Sequence, residues 1–514
     1  MTPKGAVEDE RSSRPPGLSL FPVVTAILGT ALFLQVAIFL IHAYQAVTFP
    51  YQLDYGEGPI LQIARHVAQG GEMYPPIDEP PYLIASYVPL YYALSALGVK
   101  LTGPSFLFGR LLSCVGALAI ALFSGLIVWD RTKHRFAAFL AGGLILAMPH
   151  FMVWGTLMRV DVLALALSVA GFYFFTRGGR SAGISLFALA AFTRRTTVGA
   201  MGAAFLEYAR ESGLRRALRS FAGQILVVVV LFGAAVILTR GGLYHQLSLH
   251  TATSVGKAWT WEQLRSLLWV PGNPSPLKLW PAYFGVTLIA AAWSAFHRPS
   301  RPLLVYFLLA GLIFLTGGRI GSAHNYLMEP TAIGAMMLGV MWGVVSRRPG
   351  LGQAGLMILA GALAVQMVWT AQHLPQTLSI LRPRVDPRSS QRIVERIEET
   401  DGPALCEDTG LTLAAGEDPP LMPFEFAMMA RAGALDPEPI YRSVREGRYP
   451  LVVLRFNPLD PREIELHKAG EDWKGGRWPE AIISGVQNHY RLDEEVGPYF
   501  VFVPTDSLAL RLRP

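Results

Sequence analysis

The sequence predicts a polytopic α-helical membrane protein of about 11 transmembrane helices, followed by a small C-terminal extracytoplasmic α/β domain. Three observations carry that reading. Of the 514 residues, 52% are apolar and only 16% charged, where a soluble chain carries about 25% charge. The apolar residues fall in long blocks near the roughly 20 residues a helix needs to cross a bilayer. Arginine and lysine sit in short clusters between those blocks, as the positive-inside bias requires. The net charge of +7 does not indicate nucleic acid, because the cations punctuate apolar segments and form no basic face. Cys114 and Cys406 are far apart, which leaves no disulfide framework and no cysteine zinc site.

A polar tail, residues 1–20 with Lys4, Arg11 and Arg14, precedes a first apolar run over 21–47. That run is too long for a signal-peptide core and has no small-residue cleavage site, so it reads as an uncleaved anchor. Further spans are expected near 106–129, 135–154, 157–176, 219–240, 280–297, 302–318, 324–346 and 351–373. The block 181–209 is apolar but broken by Arg194-Arg195, and reads as a hairpin of two short helices. With that hairpin, and with 85–103 not crossing, the clusters at Arg131/Lys133/Arg135, Arg177/Arg180, Arg210/Arg215/Arg216/Arg219, Arg298/Arg301 and Arg347/Arg348 all fall on one side. The N-terminus is then cytoplasmic and the C-terminus outside. The transmembrane domain is 21–375, including a long outer loop at 48–105. A second outer region, 241–279, carries Trp259, Trp261 and Trp269, with Trp280 just beyond, as an interfacial segment would. The soluble domain is 376–514, with helices near 389–400, 424–433 and 479–490 and strands near 403–407, 411–415, 450–456 and 499–503.

No GxxxxGK[ST] loop, HExxH pair or GxSxG elbow is present. Candidate chemistry rests on polar residues at the outer membrane boundary, where they are expensive unless functional. Asp54-Tyr55-Gly56-Glu57-Gly58 follows the first span, and either carboxylate could accept the proton of an attacking alcohol; the plain alternative is an exposed acidic turn. Arg159 and Asp161 open an apolar span, as a helix-end ion pair or as members of the same site. Arg194 and Arg195 cap two half-helices of roughly 20 Å, too short to cross, and guanidinium forks match phosphate oxygens; the alternative is snorkelling to headgroups. His324, Asn325, Tyr326 and Glu329 stand at the entrance of a late span, and no second histidine or cysteine at ligand spacing supports a metal there. Gln62 to Tyr92 is rich in Tyr and Pro, with Arg65, His66 and Tyr87, and suits a membrane-surface stretch or a sugar wall.

The order of these segments resembles the GT-C membrane glycosyltransferases, nearest to the family 39 group of protein O-mannosyltransferases and the lipid A aminoarabinose transferase. LDYGEGPILQIARHVAQGGEMYP resembles that group's acidic motif and amphipathic continuation, and YVPLYYALSALGVKLTGPSFLFGRLLS the following loop. MRVDVLALAL resembles its second acidic position, AAFTRRTTV its mid-hairpin basic residue, and GSAHNYLMEP a late outer-loop segment of bacterial relatives. The similarity spans about residues 45–375. Many relatives carry adjacent Asp-Glu, whereas here Tyr55-Gly56 separates the acids. The register of GPILQIARHVAQGG favours Glu57 as the motif glutamate, and the base is Asp54 or Glu57.

The resemblance implies transfer of a hexosyl or pentosyl unit from a polyprenyl-phosphate donor to an envelope acceptor (lipid, glycan or protein) by inverting displacement, at the outer face of a bacterial inner membrane. Asp54 or Glu57 would take the acceptor proton, Asp161 orient the acceptor or a cation, and Arg159, Arg194 and Arg195 hold the phosphate. Tyr55, Tyr87, His324, Asn325, Tyr326 and Glu329 would line the substrate pocket. No cofactor is required on this reading; a divalent cation at Asp54, Glu57 and Asp161 is an open alternative that ligand spacing does not support. Two rivals remain: a lipid or sugar transporter, which would show inverted repeats, and an envelope scaffold whose outer domain binds a partner.

Overall fold

The computed structural model describes residues 20–255, 259–268, 280–319, 322–348, 350–375, 386–464 and 477–505. Lys4, Arg11, Arg14 and Trp269 lie outside them, as does the expected domain boundary just after 375.

Among the described residues, six helical stretches are long and apolar enough to cross a membrane: Leu20–Thr48, Leu107–Thr132, Leu214–Leu238, Arg298–Gly318, His324–Val345 and Leu351–Gln372. Four shorter apolar helices, Arg135–Ala147, Val160–Thr176, Arg180–Thr193 and Pro281–Phe296, pack among them. The span expected at 135–154 is two helices, because Pro149 lacks an N–H and starts Pro149–Trp154 afresh. The block expected to be a hairpin is Arg180–Thr193 and Gly199–Ser212, with Arg194 immediately after the first helix. Met336, Leu338, Ala141, Leu144, Val169 and Phe172, all fully buried, form the centre of the bundle.

The bundle has two unlike ends. Arg177 pairs with Asp130 at 3.2 Å, Arg347 donates to the Thr132 carbonyl, and the Arg180 guanidinium lies 4.3 Å from the Tyr208 ring centroid. The arginine-bearing turns therefore meet at one end. Val160–Thr176 runs from Asp161 to that end, and its 17 residues at 1.5 Å each place Asp161 about 25 Å away.

At Asp161's end the loop 48–105, expected to be the outer one, forms Glu57–Ala68, an amphipathic helix, and Pro89–Thr102. Residues beyond 386 build a four-stranded mixed sheet: β1 (Ala404–Cys406), β2 (Leu451–Leu454), β3 (Tyr490–Val496) and β4 (Tyr499–Pro504), in the order β1-β2-β4-β3. β1 and β2 are parallel, and the other pairs antiparallel. The strand expected at 411–415 is instead the helix Thr409–Ala414, ended by Gly416 at φ +85°. Its apolar run is short enough to fit a buried helix turn as well as a strand. β3 was not anticipated, because its solvent-facing positions are Arg491, Asp493 and Glu495.

One hydrophobic core is shared between these regions. Ile60, Leu61, Tyr82, Tyr91 and Phe106 of the outer loop pack with Leu413, Met422, Phe426 and Trp478 of the C-terminal region. The Tyr82 and Phe426 rings meet edge-on at 5.5 Å.

Candidate active site

Glu57 begins its helix fully buried, and its partner is Arg110, near the start of Leu107–Thr132 and also fully buried. Arg110 Nε donates to Glu57 Oε1 at 2.8 Å and Nη2 to Oε2 at 2.7 Å. Its remaining N–H groups reach the carbonyls of Ala46 (3.0 Å), Phe49 (2.6 Å) and Tyr51 (2.7 Å), so all five guanidinium donors are used. Glu57 also accepts from the backbone N–H of Met158 and of Leu53, each at 2.8 Å. Burial alone would raise the Glu57 pKa, but Arg110 and these donors outweigh it and hold the carboxyl below its ordinary value. A carboxylate so occupied has neither the affinity nor a free lone pair for a proton. Glu57 is thus a clasp tying the first long apolar helix, the loop after it and residue 158 together, and of the two expected carboxylates it is the one fully engaged by protein donors.

Asp54 is different. It is partly exposed, and among the described residues only Oδ2 is engaged, accepting from Gly56 N at 2.9 Å and from Arg159 Nη1 at 3.3 Å. Gly56 leaves room for the Arg159 guanidinium, which a Cβ at that position would displace. Arg159 continues toward Asp161, Nε to Oδ2 at 3.7 Å, and Asp161 Oδ1 pairs with Arg194 Nη1 at 2.7 Å. Asn325 Nδ2 donates to the same Asp161 oxygen at 2.8 Å. The Arg194 guanidinium lies 4.8 Å from the centroid of the Tyr326 ring. Four charges of alternating sign, from the outer loop, the start of one helix and the hairpin turn, are therefore strung together with a net charge of zero. Tyr87 stands within reach of these charges: burial raises its phenol pKa, with Arg159 and Arg194 opposing and Asp161 adding to the shift.

The other expected residues divide. Arg195 does not join Arg194; its Nη1 donates to Thr251 Oγ1 at 2.8 Å and the Leu247 carbonyl at 3.4 Å, on Gly242–Val255. His324 packs against Trp154, ring centroids 6.0 Å apart. Glu329 lies beside Gly199, where a Cβ would come within 3.0 Å of Oε1, and that oxygen has no hydrogen-bond partner among the described residues. Tyr55 turns to the C-terminal region, its hydroxyl donating to Glu425 Oε2 at 2.7 Å. Among the described residues no three His, Cys, Asp or Glu side chains are grouped to hold a metal.

Sequence reasoning missed Arg110 and Glu425. Arg110 was legible as the one charge at the head of an otherwise apolar span. Glu425 carried no signal, since it sits in an ordinary amphipathic stretch of the C-terminal region. Burial raises its carboxyl above the usual value, against the Tyr55 hydrogen bond and the Arg159 and Arg477 charges.

The fold defines the class: an integral membrane protein with the GT-C fold. Among solved structures, the chain is similar to ArnT from Cupriavidus metallidurans bound to undecaprenyl phosphate, with TM-score 0.60 and 14% identity over 93% of this chain and 98% of that one. It is also similar to the Archaeoglobus fulgidus oligosaccharyltransferase in the apo form, with TM-score 0.57 and 12% identity over 94% of this chain and 74% of that one. No family model matches the sequence, and no curated protein matches it.

Proposed function

We propose that this protein transfers a sugar from a polyprenyl-phosphate donor to an envelope acceptor at the outer face of the membrane, by a single inverting displacement. The observation that carries the proposal is the chain Asp54–Arg159–Asp161–Arg194, with one oxygen of Asp54 uncommitted, at the end of the bundle away from the arginine-bearing turns. The ArnT structure bound to undecaprenyl phosphate supports the donor class. On this reading the arginine-bearing turns face the cytoplasm and the site faces outward.

In the reaction Asp54 accepts the proton of the acceptor hydroxyl. The freed oxygen attacks the anomeric carbon as the bond from that carbon to the phosphate oxygen breaks, and the lipid leaves as a phosphate. Arg194 and Arg159 offset the negative charge growing on that phosphate, in a setting where such groups are pre-oriented and need little rearrangement. Asp161, with Asn325, holds Arg194 in place. A phosphate is already a competent leaving group, so no nucleotide site is needed.

The test is purified protein in lipid vesicles with undecaprenyl-phosphate-linked hexoses and pentoses and bacterial envelope lipids and glycans as acceptors, followed by release of undecaprenyl phosphate. Release coupled to a glycosylated acceptor is the expected result. Movement of donor lipid between leaflets with no covalent product, across the whole panel, would replace this reading with the transporter.

A further inference from the structure

Asp54 is held by few bonds of its own, so its placement depends on the residues beside it. On the N-terminal side, Gln52 is buried against the C-terminal region: its Oε1 accepts from Gly410 N at 2.7 Å and its Nε2 donates to Asp408 Oδ1 at 3.2 Å. The fit is close, because a Cβ at Gly58 or at Gly410 would overlap the Gln52 amide. Asp408 is itself fixed by Arg455 and by the Tyr499 hydroxyl, each at 3.0 Å. On the other side, the Tyr55 hydroxyl donates to Glu425 Oε2 at 2.7 Å and accepts from Phe424 N at 2.8 Å, while the Arg477 guanidinium lies 4.6 Å from the ring centroid. Further along, Gln62 and Arg65 donate to the carbonyls of Pro419, Gly416 and Glu417. The candidate base therefore lies between two anchors, at positions −2 and +1, that both belong to residues 408–425.

We infer that Tyr55 and Glu425 are positioning residues for Asp54, so that the C-terminal region completes the reaction site instead of being an independent appendage. The inference rests on the transferase reading for its catalytic consequence. A half-buried ring whose hydroxyl is held by a carboxylate and a backbone N–H resists turning out of line, and displacement of a reacting group by about 1 Å lowers rate about a hundredfold. Glu425 bonds to Tyr55 and not to Asp54; its charge also reaches Arg159, so the neutral Glu425→Gln separates the bond to the ring from that charge.

The experiment uses the full chain in vesicles with the undecaprenyl-phosphate sugar that the wild type uses. Tyr55→Phe and Glu425→Ala should each lower kcat at least tenfold with donor KM within twofold and the thermal midpoint unchanged. Glu425→Gln keeps an oxygen that accepts from Tyr55, and should recover most of the loss seen in Glu425→Ala. In a Tyr55→Phe background the two Glu425 variants should be indistinguishable, because the shared bond is already gone. Hydrogen exchange by mass spectrometry supplies a second readout: peptides over 53–57 should exchange at least tenfold faster in Tyr55→Phe, with the bundle unchanged. Wild-type kcat in Glu425→Ala overturns the inference, as does a thermal midpoint that falls in parallel with kcat in every variant. If the wild type transfers no sugar, the transferase reading fails, and the positioning claim stands or falls on whether faster exchange is confined to 53–57.

Discussion

Replacing Arg110 with Met should destabilise the protein more than any substitution in the charged chain around Asp54. The side chain is fully buried and contributes five hydrogen bonds, two of them to the Glu57 carboxylate. Met fills much of the same volume but donates nothing. Glu57 would keep Leu53 N and Met158 N as donors, while its charge lost its counter-ion. Breaking a buried ion pair by removing one partner costs about 3–5 kcal/mol. The carbonyls of Phe49 and Tyr51 lose this donor as well, while that of Ala46 keeps Phe49 N at 3.4 Å, and a buried acceptor left unsatisfied costs about 1–3 kcal/mol. These losses are not additive, but even the ion pair alone is a large part of a typical stability of about 5–15 kcal/mol. Arg110→Lys, with one ammonium in place of a fork, should fall between Met and wild type. The assay is the thermal unfolding midpoint of purified protein in detergent, with yield of membrane-inserted protein as a check. The combined Arg110→Met, Glu57→Leu variant removes the stranded charge and should recover part of the loss. An Arg110→Met protein with unchanged yield and midpoint would refute the clasp.

Asp54→Asn should lower transfer by about 10²–10⁴-fold, the range for removing a general base, and leave the thermal midpoint unchanged; retained activity removes Asp54 from the chemistry. Arg194→Gln should weaken use of undecaprenyl-phosphate sugar strongly, whereas Arg195→Gln, which loses bonds to Thr251 and the Leu247 carbonyl, should change it several-fold less; equal effects, measured by donor titration, would contradict the separate roles of these neighbours. Gly56→Ala should lower activity by pushing the Arg159 guanidinium off Asp54, and an unchanged rate would show that the contact is dispensable. The Glu57 carboxyl is held below its ordinary value of 4.5, so the stability it adds is fully present above that pH and is lost as pH falls through the lower folded value. Unfolding midpoints measured from neutrality down to pH 3 should therefore show an acid loss that Glu57→Gln, already destabilised, shows less steeply.

The helices were legible because lipid removes the competing options: a long apolar block in a membrane satisfies its backbone only as helix. The convergence of Asp54, Asp161 and Arg194 was legible for a related reason, since each is a charge placed where charge is costly. Within that set, roles were not legible. Glu57 and Asp54 look alike in sequence, and what distinguishes them is Arg110, which with Leu53 N and Met158 N occupies both oxygens of Glu57 and makes no bond to Asp54. Arg194 and Arg195 are adjacent, yet the turn sends one toward Asp161 and the other toward Thr251. In the C-terminal region the difficulty was periodicity: 409–414 offers too few residues to separate strand from helix, and β3 hides its alternation behind charges on the solvent side. The join between that region and the outer loop depends on Gln52, Tyr55 and Glu425, polar residues of ordinary type whose partners lie more than 350 positions away.

On the proposed mechanism, the alternating charges would also let one site deal with a change in substrate charge, as follows from the protonation of Asp54 and the release of lipid phosphate proposed above. Before reaction, two carboxylates and two guanidiniums cancel, and a phosphodiester donor brings one negative charge. Bond cleavage turns that diester into a monoester, which carries about −1.5 to −2 near neutral pH. At the same moment Asp54 takes the acceptor proton and loses its own charge. Arg159, which had been shared between Asp54 at 3.3 Å and Asp161 at 3.7 Å, is released from one of its two partners as the phosphate gains charge. The total charge of the cluster then stays nearly constant through the displacement, although its location moves from the acid to the leaving group. Such a transfer of the counter-charge needs an arginine that is only loosely held by the base, and a second, firmly held one as an anchor; the 2.7 Å pair of Arg194 with Asp161 is that anchor. A base locked as Glu57 is, with every donor committed to its ionised form, could accept the proton only by giving up the clasp that holds the outer loop to the bundle.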